Sequence, residues 1–209
     1  MEKVGMEKKY ELTDETIEFG GYTLHRIKAL RDFGDVHAGD LGGFVESEGN
    51  LYQYGNGTSW VYDNAKVYGD AMVTHGAKVK DLAVVCDGAV VRDRATVIDI
   101  ARVFGEARVH GDASVFGSAR VCDNARVCGD AQVGGRALMY QHAEACGPAD
   151  IQGSTAVGGN VLVCGDSRLY GDDEISGNAI IRDTLILTHQ ASREIEESLR
   201  EVPEKAPSC

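Results

Sequence analysis

The 209-residue chain carries 33 acidic against 21 basic side chains, a net charge of −12, and although 43% of it is hydrophobic only 7% is aromatic. A core must therefore be built from small aliphatic groups, which disfavours an ordinary layered α/β domain, and the acidic balance repels polyanions, so no nucleic acid polymer is expected as a partner. No run of about 18 apolar residues occurs and the opening MEKVGMEKKYELTDE is charged throughout, which predicts no membrane span, no signal peptide and a cytoplasmic chain.

Residues 1–35 read as a β-hairpin cap. Tyr10 to Leu12, Thr16 to Phe19 and Tyr22 to Leu30 have strand composition, and Gly20-Gly21 supplies a hairpin turn. Gly39, Gly42 and Gly43 mark a tight passage from the cap into the first rungs, and Asn56-Gly57 reads as a two-residue insertion.

Residues 36–190 are dominated by one short pattern. Every sixth residue from Val61 to Val133 is valine, continued in the same register by Met139, Ala145, Ile151, Val157, Val163, Leu169, Ile175, Ile181 and Leu187. Two places upstream, alanine recurs without a break from Ala65 to Ala149. One variable residue follows each valine, then usually Gly or Asp, giving A-x-V-x-[GD]-[DNG]. Alternation turns Ala and Val to one side of a short strand, and Gly and Asp tolerate the turn dihedrals. A helix has no use for a period of six, whereas three six-residue strands close a triangular rung of about 18 residues, stacked at roughly 4.8 Å. Hexads without interruption from Ser59 to Gln190 predict about seven rungs and a prism roughly 35 Å long, an all-β parallel β-helix. In residues 191–209, Ser192 is placed to N-cap a short helix with Ile195, Leu199 and Val202 on one face, stopped by Pro203 and followed by a tail.

The hexads resemble the left-handed parallel β-helix family best known from acyltransferases. The stretch DFGDVHAGDLGGFVESEGNL, Asp32 to Leu51, followed by SWVYDNAKVYGDA, resembles the start of the YdcK-like hexapeptide proteins of bacteria and prophages. The left hand is implied by this resemblance alone, because most strand crossovers are right-handed. It further implies a homo-oligomer, with a trimer favoured, in the cytoplasm of a bacterial host if the chain is phage encoded. Acyltransferases of this fold push out a loop that carries or encloses a catalytic histidine, and they bind their acyl carrier between subunits. Here the small turn residue comes one place later than in those enzymes, and no hexad opens into a loop.

His75, His142 and His189 fall at turns, where a solvated role is expected. His110 stands on a flat face without an orienting carboxylate on its own column, so no catalytic residue is assigned.

Residues 18 apart stack, and the outward columns carry the remaining information. On the first face Tyr68, Cys86, Phe104, Cys122 and Tyr140 form a column with Val84 and Leu138 beside it, an apolar stripe expected to join subunits. On the second face Arg92, Arg108, His110 and Arg126 fall within three rungs and suit phosphate or carboxylate recognition, with Arg102 and Arg120 facing them from a neighbouring subunit across a groove. The alternative is solvated arginines paired with turn Asp and Glu. Of six cysteines, Cys128, Cys146 and Cys164 follow His110 in one column. In-register side chains fit a disulfide dihedral poorly, a straight row does not converge tetrahedrally, and no C-x-x-C occurs, so free thiols and no metal or cofactor are expected.

These features favour a non-catalytic oligomeric binding or assembly protein that sequesters a small anionic ligand or nucleotide. The alternatives are a hexapeptide-repeat acyltransferase using acyl-CoA and a structural phage or surface component.

Overall fold

The computed structural model describes residues 7–54 and 57–187, so Asn56, His189, Cys209 and the expected C-terminal helix lie outside the described residues. The described chain is an all-β parallel solenoid whose helical content is one 3₁₀ turn, Glu48–Asn50.

Each hexad contributes a strand as short as two residues, the variable residue and the valine after it, as in Thr96–Val97. Every sixth residue from Ala65 to Ala149 and every sixth residue from Val61 to Val133 is at most 1% exposed, so the two periodic positions fill a single continuous core. Each fully buried valine contributes on the order of 1.5 kcal/mol of transfer free energy. Between rungs the backbone is satisfied by evenly spaced parallel bonds such as Thr96 N to Ala113 O at 2.9 Å and Ile98 N to Val115 O at 3.0 Å.

Three faces result. The first begins with an antiparallel pair, β1 (Tyr10–Phe19) and β2 (Tyr22–Ala29), joined to β3 (Leu41–Val45), and continues through Lys66–Val67, Val84–Val85, Arg102–Val103 and Arg120–Val121 to Glu174–Ile175. The second runs in seven strands from Met72–Val73 to Ile180–Arg182, and the third in eight from Trp60–Val61 to Leu185–Leu187. Eight strands on a face make the column about one rung longer than the seven expected.

The register departs from 18 at both ends, which corrects the expected uninterrupted hexads. Val45 pairs with Val67 and Leu51 with Val73, so the first rung is four residues longer than the rung from Val67 to Val85, where a two-residue insertion was expected. At the far end Leu169 pairs with Ile186 rather than Leu187. Asp183 still keeps the left-handed turn conformation, φ 52°, and its Oδ1 accepts the Asp166 amide at 2.9 Å. Thr184 then takes the place of Ser167, accepting the Arg168 amide at 2.8 Å. The turn has lost its second residue, which the hydrophobic pattern conceals because Ile186 and Leu187 are both aliphatic.

The cap closes the near end of the core. β1 is one strand with a bulge between Leu12 and Thr16, and Gly20 and Gly21 turn it into β2 with φ of 62° and 87°. Gly42 and Gly43 are close-approach positions, since a side chain there would run into Trp60, Ile27 and the carbonyls of Val61 and Ala65. Trp60 packs edge-on against Tyr10 and Phe33, at 6.1 and 5.3 Å between ring centres. Lys9 is buried with them. Its Nζ donates to the Ser59 carbonyl at 2.7 Å and hydroxyl at 3.0 Å, and burial pushes its pKa down from 10.5 to about 7, the Arg31 charge adding to the effect.

Candidate functional site

The hexad repeat makes outward residues into columns, because strands pair without shift. Arg102 pairs with Val84 on one side and Arg120 on the other, and Arg120 pairs with Leu138. Lys66 lies one strand below Val84. The first face therefore carries a line of Lys66, Val84, Arg102, Arg120 and Leu138, with Tyr68, Cys86, Phe104, Cys122 and Tyr140 beside it.

That second column is outward by register but partly covered by the chain itself. The tip of the β1–β2 hairpin folds over Tyr68, placing the Phe19 and Tyr22 rings 5.9 and 5.0 Å from it. Val84 and Cys122 are 7% and 8% exposed. Tyr140 lies over Gly158 of the next rung, where any side chain would meet its ring, and its hydroxyl donates to Glu174 at 2.6 Å. Phe104 is half-buried and receives the Arg120 guanidinium over its ring at 5.4 Å.

Between the hairpin tip and this face lies a groove of about 440 Å³, lined by Phe19, Lys66, Leu82, Val84, Ile100, Arg102, Ser118 and Arg120. A smaller hollow of about 160 Å³ continues it along Tyr68, Cys86 and Phe104. No acidic side chain lines either one among the described residues. Arg102 and Arg120 form no ion pair among the described residues, although the chain as a whole has twelve excess negative charges. Lys66 donates to the Asn64 carbonyl at 2.8 Å and stands 5.0 Å over the Phe19 ring, and burial pulls its pKa down. The groove thus combines three cations with an apolar wall in a partly desolvated setting, which strengthens attraction for an anion.

The structure separates the six basic candidates into two groups. Arg102 and Arg120 line the groove. Arg108 and Arg126 pair on the second face, with Arg92 and His110 in the adjoining column. There Arg126 is followed in register by Glu144, and Arg92 lies 3.6 Å from Asp93. Burial lowers the His110 pKa, the Arg92 charge reinforces it, and Asp93 and Glu144 act against it. His110 faces a flat sheet surface away from the groove.

Periodicity did not identify Phe19, Lys66, Leu82, Ile100 or Ser118 as groove residues. Leu82 and Ile100 did carry a signal. They occupy second turn positions, where Asn64 and Ser118 stand on other rungs, yet they are aliphatic and 53% and 51% exposed. Phe19 carried none, since it reaches the groove from a hairpin outside the repeat.

No helix among the described residues is long and apolar enough to cross a membrane. No curated protein matches the chain. Residues 119–135, which contain Arg120 and Cys122 of the first face and Arg126 of the second, match the YdcK beta solenoid repeat family, and the hexads on either side continue in the same register. The column is a parallel β-solenoid that carries the YdcK-type repeat.

Proposed function

We propose that this chain is a non-catalytic oligomeric β-solenoid that holds a small anionic ligand in the first-face groove. The observation that carries the reading is the stacked Arg102–Arg120 pair, free of acidic neighbours, set beside the apolar wall of Phe19, Leu82, Val84 and Ile100. Two guanidinium groups one strand apart, about 4.8 Å, match the spread of a phosphate or a pair of carboxylates, and the wall suits an aromatic or aliphatic portion of the same molecule. A nucleotide has this composition. The groove runs along the edge of the Phe104–Leu138 stripe, so a neighbouring copy seated on the stripe supplies the missing wall. The trimer implied by the hexapeptide resemblance would supply such a copy, and a role in sequestering a nucleotide signal fits the prophage association of the same resemblance.

An acyltransferase would need a histidine at the groove, and none lines it among the described residues. A purely structural component would have no need for an acid-free cationic groove.

Equilibrium titration with ATP, ADP, inorganic phosphate and acetyl-CoA tests the reading. Arg102→Glu with Arg120→Glu is expected to weaken nucleotide binding at least tenfold, whereas Arg108→Ala with Arg126→Ala has a smaller effect. Binding that is insensitive to the first pair overturns the groove. Acetyl transfer to amine or alcohol acceptors that His110→Ala abolishes overturns the non-catalytic reading.

A further inference from the structure

The second face carries a column that the groove does not use. Cys128, Cys146 and Cys164 each follow an inward residue on three consecutive strands, and the pairings Val127↔Ala145 and Ala145↔Val163 hold them in strict register. The same register sets the three thiols one strand apart, Cys128 beside Cys146 and Cys146 beside Cys164, near enough for each to act electrostatically on the next. All three are free thiols, Cys164 only 5% exposed and the other two half-buried.

We propose that Cys128, Cys146 and Cys164 form a two-coordinate site for a soft monovalent cation, Cu(I) or Ag(I), which bridges the sulfurs of successive rungs with Cys146 shared between the two possible pairs.

The spacing supports linear coordination and little else. Adjacent strands lie about 4.8 Å apart, and two metal–sulfur bonds of about 2.3 Å laid end to end span about 4.6 Å. A tetrahedral ion needs ligands converging on a point, and no group of three or more His, Cys, Asp or Glu among the described residues does so. A disulfide needs a dihedral near a right angle, which parallel side chains fit poorly. Thiolates select soft ions over the hard cations that carboxylates prefer.

Loading balances simply. Two S–H bonds break, two metal–sulfur bonds form, two protons leave to solvent, and the site changes charge by −1. Nearby cations favour that product. Arg182 pairs in register with Cys164 and acts on Cys146, and Arg126 lies in the adjoining column. Glu144 opposes it, accepting from Cys128 Sγ at 3.8 Å and acting also on the shared Cys146, more strongly there than Arg182 does, whereas Cys164 has Arg182 as its register partner. The Cys146–Cys164 pair is therefore the stronger of the two.

The test uses the reduced full-length chain, titrated with Ag(I), and with Cu(I) against a chromophoric chelator, together with X-ray absorption at the bound metal. The wild type is expected to retain the ion with two sulfur neighbours. Cys146→Ser, which removes the shared thiol, is expected to lower affinity at least tenfold, and the double variant Cys128→Ser with Cys164→Ser by a similar factor. Cys164→Ser alone leaves the weaker pair and falls between these and the wild type. Cys86→Ser, Cys122→Ser and Cys209→Ser are expected to bind as the wild type does. A single sulfur neighbour, unchanged affinity in both ladder variants, or an equal loss in Cys86→Ser overturns the proposal. Cys128, Cys146 and Cys164 line no part of the groove, so the outcome for the ladder variants is independent of nucleotide binding.

Discussion

Asp99 accepts the backbone amide of Gly117 through Oδ2 at 2.8 Å, joining equivalent turn residues of successive rungs. The relationship recurs where Asp87 accepts from Gly105 at 3.0 Å, Asp93 from Gly111 at 3.2 Å and Asp123 from Gln141 at 2.8 Å, and Gln141 continues it to Gly159 at 2.7 Å. Asp99 holds a left-handed φ of 61°, a conformation that costs a residue bearing a Cβ about 1–2 kcal/mol. The bond to the next rung offsets that cost.

Substitution at Asp99 separates the two effects. Asp99→Asn keeps an acceptor and is expected to melt close to the wild type. Asp99→Gly loses the bond but relieves the backbone, leaving a small net change. Asp99→Ala loses the bond and keeps the Cβ, so it is expected to be the worst of the three, by about 1–2 kcal/mol. Thermal melts of the three variants give the order directly, and a Gly variant less stable than the Ala variant contradicts the account.

Val97 and Val109 are 0% exposed in a core without polar partners. Val97→Asp or Val109→Asp is expected to cost about 3–5 kcal/mol, because a carboxylate enters a narrow apolar column. Replacement of the outward Thr96 by Ala is expected to change little. Urea midpoints distinguish them, and equal tolerance at 96 and 97 would remove the inward assignment.

Phe104 tests assembly through the first face. If the stripe joins copies as proposed, a charge there would be buried against an apolar partner surface, and Phe104→Glu is then expected to yield smaller species in sedimentation velocity than the wild type. Because the groove borders the same stripe, nucleotide affinity is expected to fall with assembly. A wild type that sediments as a monomer at micromolar concentration contradicts the oligomer.

Lys9 gives a pH signature. Its folded pKa, about 7, lies below the ordinary 10.5, so between these values the unfolded chain binds more protons than the folded one. The lysine therefore opposes folding most fully below about pH 7, and that opposition fades as pH rises towards 10.5. Lys9→Met, which fills the same volume without the charge, is expected to raise the melting temperature most near pH 7 and least near pH 10. A difference between variant and wild type that is flat across this range contradicts a cationic Lys9 in the cap.

The sequence by itself determined the solenoid. A period of six with Ala and Val at fixed places permits one way to bury both, and the three-face geometry places Arg102 above Val84 and Cys146 above Cys128 before any coordinates exist. It also determined that most turns take Gly or Asp, because both tolerate left-handed dihedrals, with His75 and Gln141 as exceptions. The tertiary structure decided what repetition alone does not encode. The long first rung and the shortened turn after Asp183 are register changes, and an aliphatic pattern reads the same whether Ile186 or Leu187 pairs with Leu169. The hairpin tip lies outside the repeat, so no spacing rule brings Phe19 onto Tyr68 or encloses Lys66 beside Arg102. Arg102 and Arg120 follow the same hexad rule as Arg108 and Arg126. Only the cap and the exposed Leu82 and Ile100 at one corner turn the first pair into a groove, while Glu144 and Asp93 surround the second with opposing charge.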